Sequence, residues 1–255
     1  MLVDSHCHLK KDAEAVLSRA RQAGVGGFLC VGVGDTSAEA HNAVAEAHRY
    51  TDVFAVVGLH PHEASKQSEP FLAELEQLAA DQRVVAVGEI GLDYHYDFSP
   101  RPVQAEVFRR MIALAHKLRK PIVIHTREAA DDTLAILHEE RAREVGGVFH
   151  CFSEDLAFAR KALDLGFDIS LSGIVTFPKS ETLQEVARFV PSDRYFVETD
   201  SPYLAPVPLR GKKCEPAYVV HTARKVAELR GIPLERLANE TTANVMRRFG
   251  IQRWD

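Results

Sequence analysis

The sequence lacks the features that would place the protein in a membrane or in the secretory pathway. No apolar run comes near the roughly 20 residues that a membrane-spanning helix needs. The N-terminus has neither the basic segment nor the apolar segment of a signal peptide. The four cysteines have no Cys-x-x-Cys spacing, and Cys7, Cys30 and Cys151 lie in strand-like stretches, where buried free thiols of a reducing compartment are found. We therefore expect a cytoplasmic protein without membrane contact.

The sequence also lacks an excess of positive charge. Its 31 Lys and Arg residues stand against 36 Asp and Glu residues, which gives a net charge of −5. This balance excludes a protein that binds duplex nucleic acid over a broad, positively charged surface. It still allows a small basic area at the opening of a site. The length of 255 residues, with 46% hydrophobic and 26% charged residues, is that of an ordinary globular protein of one large or two small domains.

Short apolar runs alternate with helical patterns along the chain. The composition shows no break, so the alternation predicts the α/β class and one single (β/α)8 TIM barrel over residues 1–255. A doubly wound open sheet would instead need a glycine-rich turn after the first strand. The predicted strands are 1–8, 27–33, 53–57, 84–87, 121–124, 147–149, 167–171 and 195–197, and the predicted helices are 12–23, 38–50, 71–80, 102–118, 130–143, 155–165, 181–189, 216–230 and 233–248.

Two histidines stand at the end of the first predicted strand, in the run Met1-Leu2-Val3-Asp4-Ser5-His6-Cys7-His8. Side chains of a strand alternate between its faces, so His6 and His8 point the same way. Two imidazoles on one face can bind one metal ion. Alone, this spacing is equally typical of ordinary polar histidines near an N-terminus, so the other strand ends decide between the two interpretations.

Residues of metal-binding type recur directly after the other apolar runs. Because the carboxyl ends of all strands in such a barrel lie on one face, where active sites are built, we expect these side chains to meet. The third strand is followed by His60 and His62, the fourth by Glu89, the fifth by His125, the sixth by His150, and the eighth by Glu198 and Asp200.

The combination of imidazoles and carboxylates is typical of a hydrolytic site with two divalent cations. It suits Zn²⁺, Mn²⁺, Ni²⁺ or Co²⁺, and a half-site rich in oxygen suits Mg²⁺. Glu89 is the predicted bridging carboxylate, and Asp200 is the predicted acceptor of a proton from the attacking water. One cation would take His6, His8, Glu89 and Asp200, and the other would take Glu89, His125 and His150.

These residues lie in motifs that resemble the TatD-type metal-dependent hydrolases, the TatD DNase family of the amidohydrolase superfamily. The resemblance spans residues 4–203 in the family's order. It implies a TIM barrel, a pair of divalent metals on the six residues just named, and hydrolase activity, often that of a 3′–5′ exonuclease acting on DNA. The matching motifs are Asp4-Ser5-His6-Cys7-His8, Gly58-Leu59-His60-Pro61-His62, Gly88-Glu89-Ile90-Gly91-Leu92-Asp93-Tyr94, Pro121-Ile122-Val123-Ile124-His125-Thr126-Arg127-Glu128-Ala129, His150-Cys151-Phe152-Ser153 and Glu198-Thr199-Asp200-Ser201-Pro202-Tyr203.

Two positions depart from the family's pattern. The family usually carries an acidic residue where this chain has Lys10, and an asparagine where it has Cys214, within the run 210–216. Neither position is an expected metal ligand. The second lies in the loop after strand eight, so it concerns the choice of substrate rather than the type of reaction.

Four residues are predicted to bind substrate: His60, Arg127, Tyr94 and Glu198. Arg127 can pair with a phosphate bidentately, or form an ion pair with Glu128 or Glu198. His60 contacts a phosphate or holds its own turn, and Tyr94 stacks on a base or positions its loop. Glu198 has the further alternative of orienting a ligand histidine.

Three functions are compatible with these residues. The favoured one is a DNase that hydrolyses phosphodiesters in single-stranded or frayed DNA, with two divalent cations per subunit. The alternative is an amidohydrolase or esterase that acts on a small molecule or an aminoacyl ester, because one barrel hosts many chemistries. A metal-storing scaffold is the third. No sequence feature points to an obligate protein partner.

Overall fold

The computed structural model describes residues 1–10 and 12–254, and it is an α/β barrel. Eight parallel strands lie side by side in the order of the sequence and alternate with helices, which confirms the predicted TIM barrel. The strands are β1 (Leu2–Cys7), β2 (Val25–Gly32), β3 (Val53–Val57), β4 (Val84–Asp93), β5 (Ile122–Arg127), β6 (Gly147–Phe149), β7 (Phe167–Leu171) and β8 (Tyr195–Val197). The helices are α1 (Ala13–Gln22), α2 (Ala38–Arg49), α3 (Glu69–Ala79), α4 (Arg101–Leu118), α5 (Ala130–Glu139), α6 (Leu156–Asp164), α7 (Glu181–Phe189), α8 (Val219–Arg230) and α9 (Leu234–Phe249).

The barrel is nearly closed where its first strand meets the segment after its last. Cys7 forms a parallel bridge with Ser201. The His8 amide donates to the Ser201 carbonyl over 2.9 Å, and the Asp200 amide donates to the His6 carbonyl over 2.9 Å. These bonds bring the first and last motifs of the chain together at the carboxyl end of the barrel.

The helices form where the sequence supplies an apolar stripe and a cap. In α7, Leu183, Val186 and Ala187 are buried at the three- and four-residue spacing of one helix face. Asp155 caps α6, since its carboxylate accepts from the Phe158 amide over 2.8 Å. Gly231 ends α8 in the left-handed conformation, with φ of 64°. Local chemistry and burial therefore agree.

Several element bounds differ from the predicted ones. β4 continues to Asp93 and β5 continues to Arg127, because the two strands stay paired beyond the apolar runs from which they were predicted. The segment Pro61–Lys66 is a 3-10 helix rather than a simple turn. α5 ends at Glu139, and the chain turns at Arg141, whose φ is 53°.

All four cysteines are free, and Cys7, Cys30 and Cys214 are buried. Cys151 does not lie in a strand as expected. It follows β6 with φ of 42° and is only half-buried on the wall of a cleft. In the part of the chain that the structure describes, no helix combines the length and the apolar character needed to cross a bilayer.

A buried carboxylate ties the last helix to the amino end of the barrel. Asp168 in β7 is fully buried and accepts from Arg194 Nε over 2.6 Å and from Arg248 Nε over 2.7 Å. Arg248 belongs to α9 and also donates to the Gly166 carbonyl over 2.9 Å. The network thus joins β7, the turn before β8 and α9, at the end opposite the cleft.

Replacing Asp168 by alanine is expected to destabilise the fold by about 3 kcal/mol, because removing the buried carboxylate leaves two half-buried guanidinium groups uncompensated. The free energy of unfolding in urea, followed by circular dichroism, measures the loss. The matched control is Arg236→Ala, which breaks an exposed pair with Glu240 and should cost only about 0.3–0.5 kcal/mol. Equal costs for the two variants would contradict a structural role for Asp168.

Candidate metal centre

A large cleft opens at the carboxyl ends of the strands, and all of the predicted metal-binding side chains except the fully buried His6 line it. Its volume is about 1190 Å³. Parallel barrels build their sites at this end because the loops that follow the strands all gather there. The predicted metal ligands that line the cleft are His8, Glu89, His125, His150 and Asp200, and His60 lies beside them.

Glu89 reaches the centre of this cleft from an irregularity in β4. Gly88 pairs with Val123 and Ile90 pairs with Ile124, so Glu89 is an extra residue on its strand. Such a bulge re-aims a side chain, and here it turns Glu89 into the barrel. Gly91 follows with φ of 142°, and a Cβ there would lie 1.9 Å from the His125 carbonyl oxygen. Only glycine lets β4 and β5 approach so closely.

Four imidazoles surround the Glu89 carboxylate. His150 Nε2 lies 2.6 Å and His125 Nδ1 lies 3.0 Å from its Oε1. His60 Nε2 lies 3.3 Å from the same oxygen. His6 Nε2 lies 3.4 Å from Oε2, and the His6 ring stacks on that of His150 with centroids 3.9 Å apart. Nitrogens from four different strand ends therefore converge on one buried carboxylate.

The charges in this group depend strongly on one another. Burial alone would raise the pKa of Glu89, but the His150, His60 and His125 imidazoles hold that pKa well below its ordinary value. Burial opposes protonation of His150 as well, yet Glu89 and Glu198 raise its pKa well above the usual range. The carboxylate is thus ionised, and His150 and His125 beside it favour the protonated form.

A second group joins the first through His6. His6 Nε2 lies 3.8 Å and His8 Nε2 lies 3.6 Å from Asp200 Oδ1. His8 Nδ1 donates to the Val31 carbonyl over 2.9 Å, so its Nε2 keeps a lone pair directed at the cleft. Asp200 has φ of 55°, a left-handed conformation that aspartate tolerates.

The donor atoms are close enough to share ions. In each of three triads the donor atoms lie within 4.8 Å of one another. Both ring nitrogens of His6 are buried, and no hydrogen-bond partner for them lies in residues 1–10 or 12–254. Such an orphaned nitrogen is costly, and a cation between His6 and its neighbours would satisfy it. The three triads are His6, Glu89 and His150, then His6, His8 and Asp200, and finally His60, His62 and His125.

Sequence reasoning did not identify the role of Asp93, which appeared only as a member of the fourth-strand motif. Asp93 Oδ2 lies 2.9 Å from both His125 Nε2 and His62 Nε2, and its Oδ1 accepts from the Tyr96 amide over 2.8 Å. Burial would raise the pKa of Asp93, but His125 and His62 hold that pKa far below its usual range. This contact orients His125 so that Nδ1 faces Glu89. Asp93 lies four positions after Glu89, and strand alternation predicts the same face for both, so this was the signal that could have identified it.

Asp4 is a second residue whose part was not foreseen. It is fully buried and accepts from the Thr199 amide over 2.9 Å and from Thr199 Oγ1 over 2.6 Å. Burial raises the pKa of its carboxyl group to about 8. These bonds hold the chain beside Asp200 against β1, and they account for the acidic residue at the start of the first motif.

Two of the predicted substrate contacts lie elsewhere. Glu198 has no exposed surface, so it cannot touch a substrate; it accepts from the Cys151 amide over 2.7 Å and lies 3.4 Å from His150 Nδ1. It therefore supports His150 from behind. The Tyr94 hydroxyl donates to Asp132 Oδ2 over 2.7 Å, and Tyr94 is not on the cleft wall. Tyr96 and Phe98, two and four residues later, line the cleft instead.

His60 and Arg127 do line the cleft. His60 Nδ1 accepts from the His62 amide over 3.1 Å, and burial lowers the pKa of His60 to about 4. We assign the proton of this neutral ring to Nε2, which makes His60 a donor rather than a ligand, so the triad of His60, His62 and His125 is the least suited of the three to a cation. The Arg127 guanidinium lies 4.9 Å from the centre of the Tyr96 ring, and it has no carboxylate within 4.0 Å among the described residues. The alternative ion pairs with Glu128 and Glu198 do not form.

Known proteins share both the sequence and the fold of this chain. A family model described as "TatD related DNase" matches residues 3–250. The solved structure of YjjV, a TatD homologue from Escherichia coli K12, superimposes with a TM-score of 0.90 at 29% identity, and the match covers 98% of each chain.

Two protein relatives extend the comparison. The chain is 46% identical to the "uncharacterized metal-dependent hydrolase YcfH" of Escherichia coli (strain K12), over 98% of this chain and 96% of the relative. It is 36% identical to the "3′-5′ ssDNA/RNA exonuclease TatD" of Klebsiella pneumoniae (strain 342), over 94% of this chain and 93% of that protein. A barrel whose strand ends carry this metal-binding group, matched along nearly its whole length, belongs to the TatD family of metal-dependent hydrolases.

Proposed function

We propose that the protein is a deoxyribonuclease that hydrolyses phosphodiester bonds at the 3′ end of single-stranded or frayed DNA and depends on divalent cations. The observation that carries this proposal is the group of imidazoles and carboxylates around Glu89 at the base of the cleft. The cleft, at about 1190 Å³, exceeds the roughly 300–1,000 Å³ of pockets for drug-sized ligands, which supports a substrate as large as a polymer end. The name of the Klebsiella relative supports the same substrate class.

We infer two cation positions from the donor atoms. When bound, divalent cations would lower the pKa of a water molecule and stabilise the negative charge that develops on the phosphate. His8 would use Nε2 and His125 would use Nδ1, because hydrogen bonds to Val31 and Asp93 occupy their other nitrogens. The first position would use His6, His8, Glu89 and Asp200, and the second would use Glu89, His125 and His150.

Asp200 is the proposed proton acceptor. Burial would raise its pKa, but His8 and the neighbouring imidazoles hold that pKa below the ordinary value, so the group is a carboxylate at neutral pH. It lies on the cleft wall, 3.6 Å from His8 Nε2. From there it takes the proton of the water that attacks phosphorus.

His60 and Arg127 are the proposed phosphate contacts. His60 offers its Nε2 proton beside Glu89, and Arg127 offers a guanidinium without an ion-pair partner among the residues described. Donors of both kinds stabilise charge on phosphate oxygens. The proposal includes a cytoplasmic location, which rests on the four free thiols.

A panel of substrates tests this function. Metal-loaded protein should shorten a 5′-labelled single strand from its 3′ end. It should degrade frayed duplex ends more slowly, and it should leave a circular single strand intact. An aminoacyl-tRNA and a simple carboxylic ester complete the panel. Hydrolysis of the esters with no loss of DNA would replace the nuclease by an esterase or amidohydrolase.

Chelation is expected to abolish turnover of DNA, and added Mn²⁺, Mg²⁺, Co²⁺ or Zn²⁺ should restore part of it. Cys151→Ala should change turnover little, since the Sγ donates to Ser172 and burial raises the pKa of this thiol well above its ordinary value. Rates of release of labelled nucleotide measure both effects. Full activity in excess chelator would overturn the metal assignment, and a loss in Cys151→Ala with the fold intact would show that this thiol takes part in the reaction.

Asp200→Asn is expected to lower turnover by about 10²–10⁴-fold, because the amide keeps the shape and one oxygen but loses the basicity. Metal content should fall much less. Glu198→Gln, which weakens the support of His150, should cost roughly 10–100-fold in activity or metal affinity. Turnover and metal stoichiometry are measured together, with Asp131→Asn on the exposed start of α5 as the matched control. Turnover of Asp200→Asn near that of the control would exclude Asp200 as the base.

A further inference from the structure

Exposed aromatic side chains are concentrated at the cleft. Five large apolar side chains are strongly exposed in the part of the chain that the structure describes, and three of them line the cleft. Tyr96 is 47% exposed, Phe98 is 66% exposed and Tyr203 is 60% exposed. A soluble protein leaves large rings in water at one place when that place has a partner to contact.

Tyr96 and Phe98 form an ordered surface, which we call the aromatic wall. Their rings stack with centroids 5.3 Å apart and planes 24° apart. The edge of His62 meets both rings, at 5.3 Å from Tyr96 and 4.9 Å from Phe98. Phe98, the more exposed of the two, leaves most of its surface to a ligand.

The aromatic wall is positioned by the same carboxylate that orients the candidate metal centre. Asp93 accepts from the Tyr96 amide and lies 2.9 Å from Nε2 of both His62 and His125. One buried group therefore sets the distance between the wall and the nitrogen of His125 that faces Glu89. A flexible patch on a loop would have no such link.

Positive charge accompanies the aromatic wall. The Arg127 guanidinium lies 4.9 Å from the Tyr96 ring centre, and the structure gives it no carboxylate partner within the described residues. A planar apolar surface next to a free guanidinium matches a nucleotide, which combines a planar base with an anionic phosphate. An apolar peptide or a lipid tail would have no use for the guanidinium.

We propose that the aromatic wall is a subsite that stacks on an unpaired base of the DNA substrate while Arg127 neutralises the adjoining phosphate. This inference rests on the proposed nuclease function. A base held in a duplex is already stacked and paired, so its face is not available to Phe98. The subsite would therefore select single strands and frayed ends, and base stacking of this kind tolerates any sequence.

The first experiment compares Phe98→Ala with the wild-type protein on two single strands, one complete and one with abasic units at its three 3′-terminal positions. For the complete strand, KM should rise about 5–150-fold, the range expected for the loss of one base–aromatic stack, while kcat stays nearly unchanged. For the abasic strand, the two proteins should have similar KM values. Phe98→Trp should restore the wild-type KM, and Val207→Ala, exposed but outside the cleft, is the control.

A binding measurement separates this proposal from the proposed function. Metal-loaded protein is titrated into a labelled strand whose 3′-terminal linkages are phosphorothioates, and anisotropy is read. Binding that weakens in Phe98→Ala, without cleavage of any DNA, supports the aromatic wall and refutes the nuclease. Cleavage of the complete strand with an unchanged KM in Phe98→Ala refutes the aromatic wall and leaves the nuclease standing. A protein that neither binds nor cleaves the strand refutes both.

Discussion

A buried negative charge at Glu89 is the constraint on which the site depends. A carboxylate removed from water is stable only when groups of opposite charge and hydrogen-bond donors surround it. Here His150, His125, His60 and His6 supply that surrounding from different strand ends. The arrangement is costly as a purely structural feature, since apolar residues of the same volume would fill the barrel mouth at least as well. It makes sense as a site in which cations replace protons among the imidazoles.

The barrel meets this constraint through local departures from regular structure. The bulge at Glu89 turns one side chain inward, and Gly91 allows β5 to come close enough for His125 to reach it. At the other edge, Thr199 donates two hydrogen bonds to Asp4. These bonds hold the neighbouring Asp200 beside His6 and His8. The Asp168 ion pairs stabilise the opposite end of the barrel. The stabilising network and the candidate site therefore lie at different ends of one sheet.

Much of the fold and the membership of the candidate site could be predicted, because both follow from periodicity and from what stands after each apolar run. The bounds of β4 and β5 could not, since a strand continues as long as its neighbour stays paired, and pairing is a tertiary property. In a continued strand, alternation would place Glu198 and Asp200 on one face, yet β8 ends at Val197 and Asp200 takes a left-handed conformation. Glu198 is therefore buried behind His150 while Asp200 reaches the cleft. Tyr94 and Tyr96 could not be told apart because both follow β4 in a loop.

Histidines that look alike in the sequence differ here according to the partner of their second nitrogen. His8 donates from Nδ1 to a carbonyl, so Nε2 is left as an acceptor. His125 donates from Nε2 to Asp93, so the available nitrogen is Nδ1. His60 accepts at Nδ1 from a backbone amide, so Nε2 carries a proton and can only donate. No spacing rule conveys these differences, because each depends on a backbone or carboxylate group that the fold brings from another strand. The proposed roles in this cleft, with some atoms that would bind cations and others that would contact phosphate, therefore depend on the surrounding hydrogen bonds rather than on residue type.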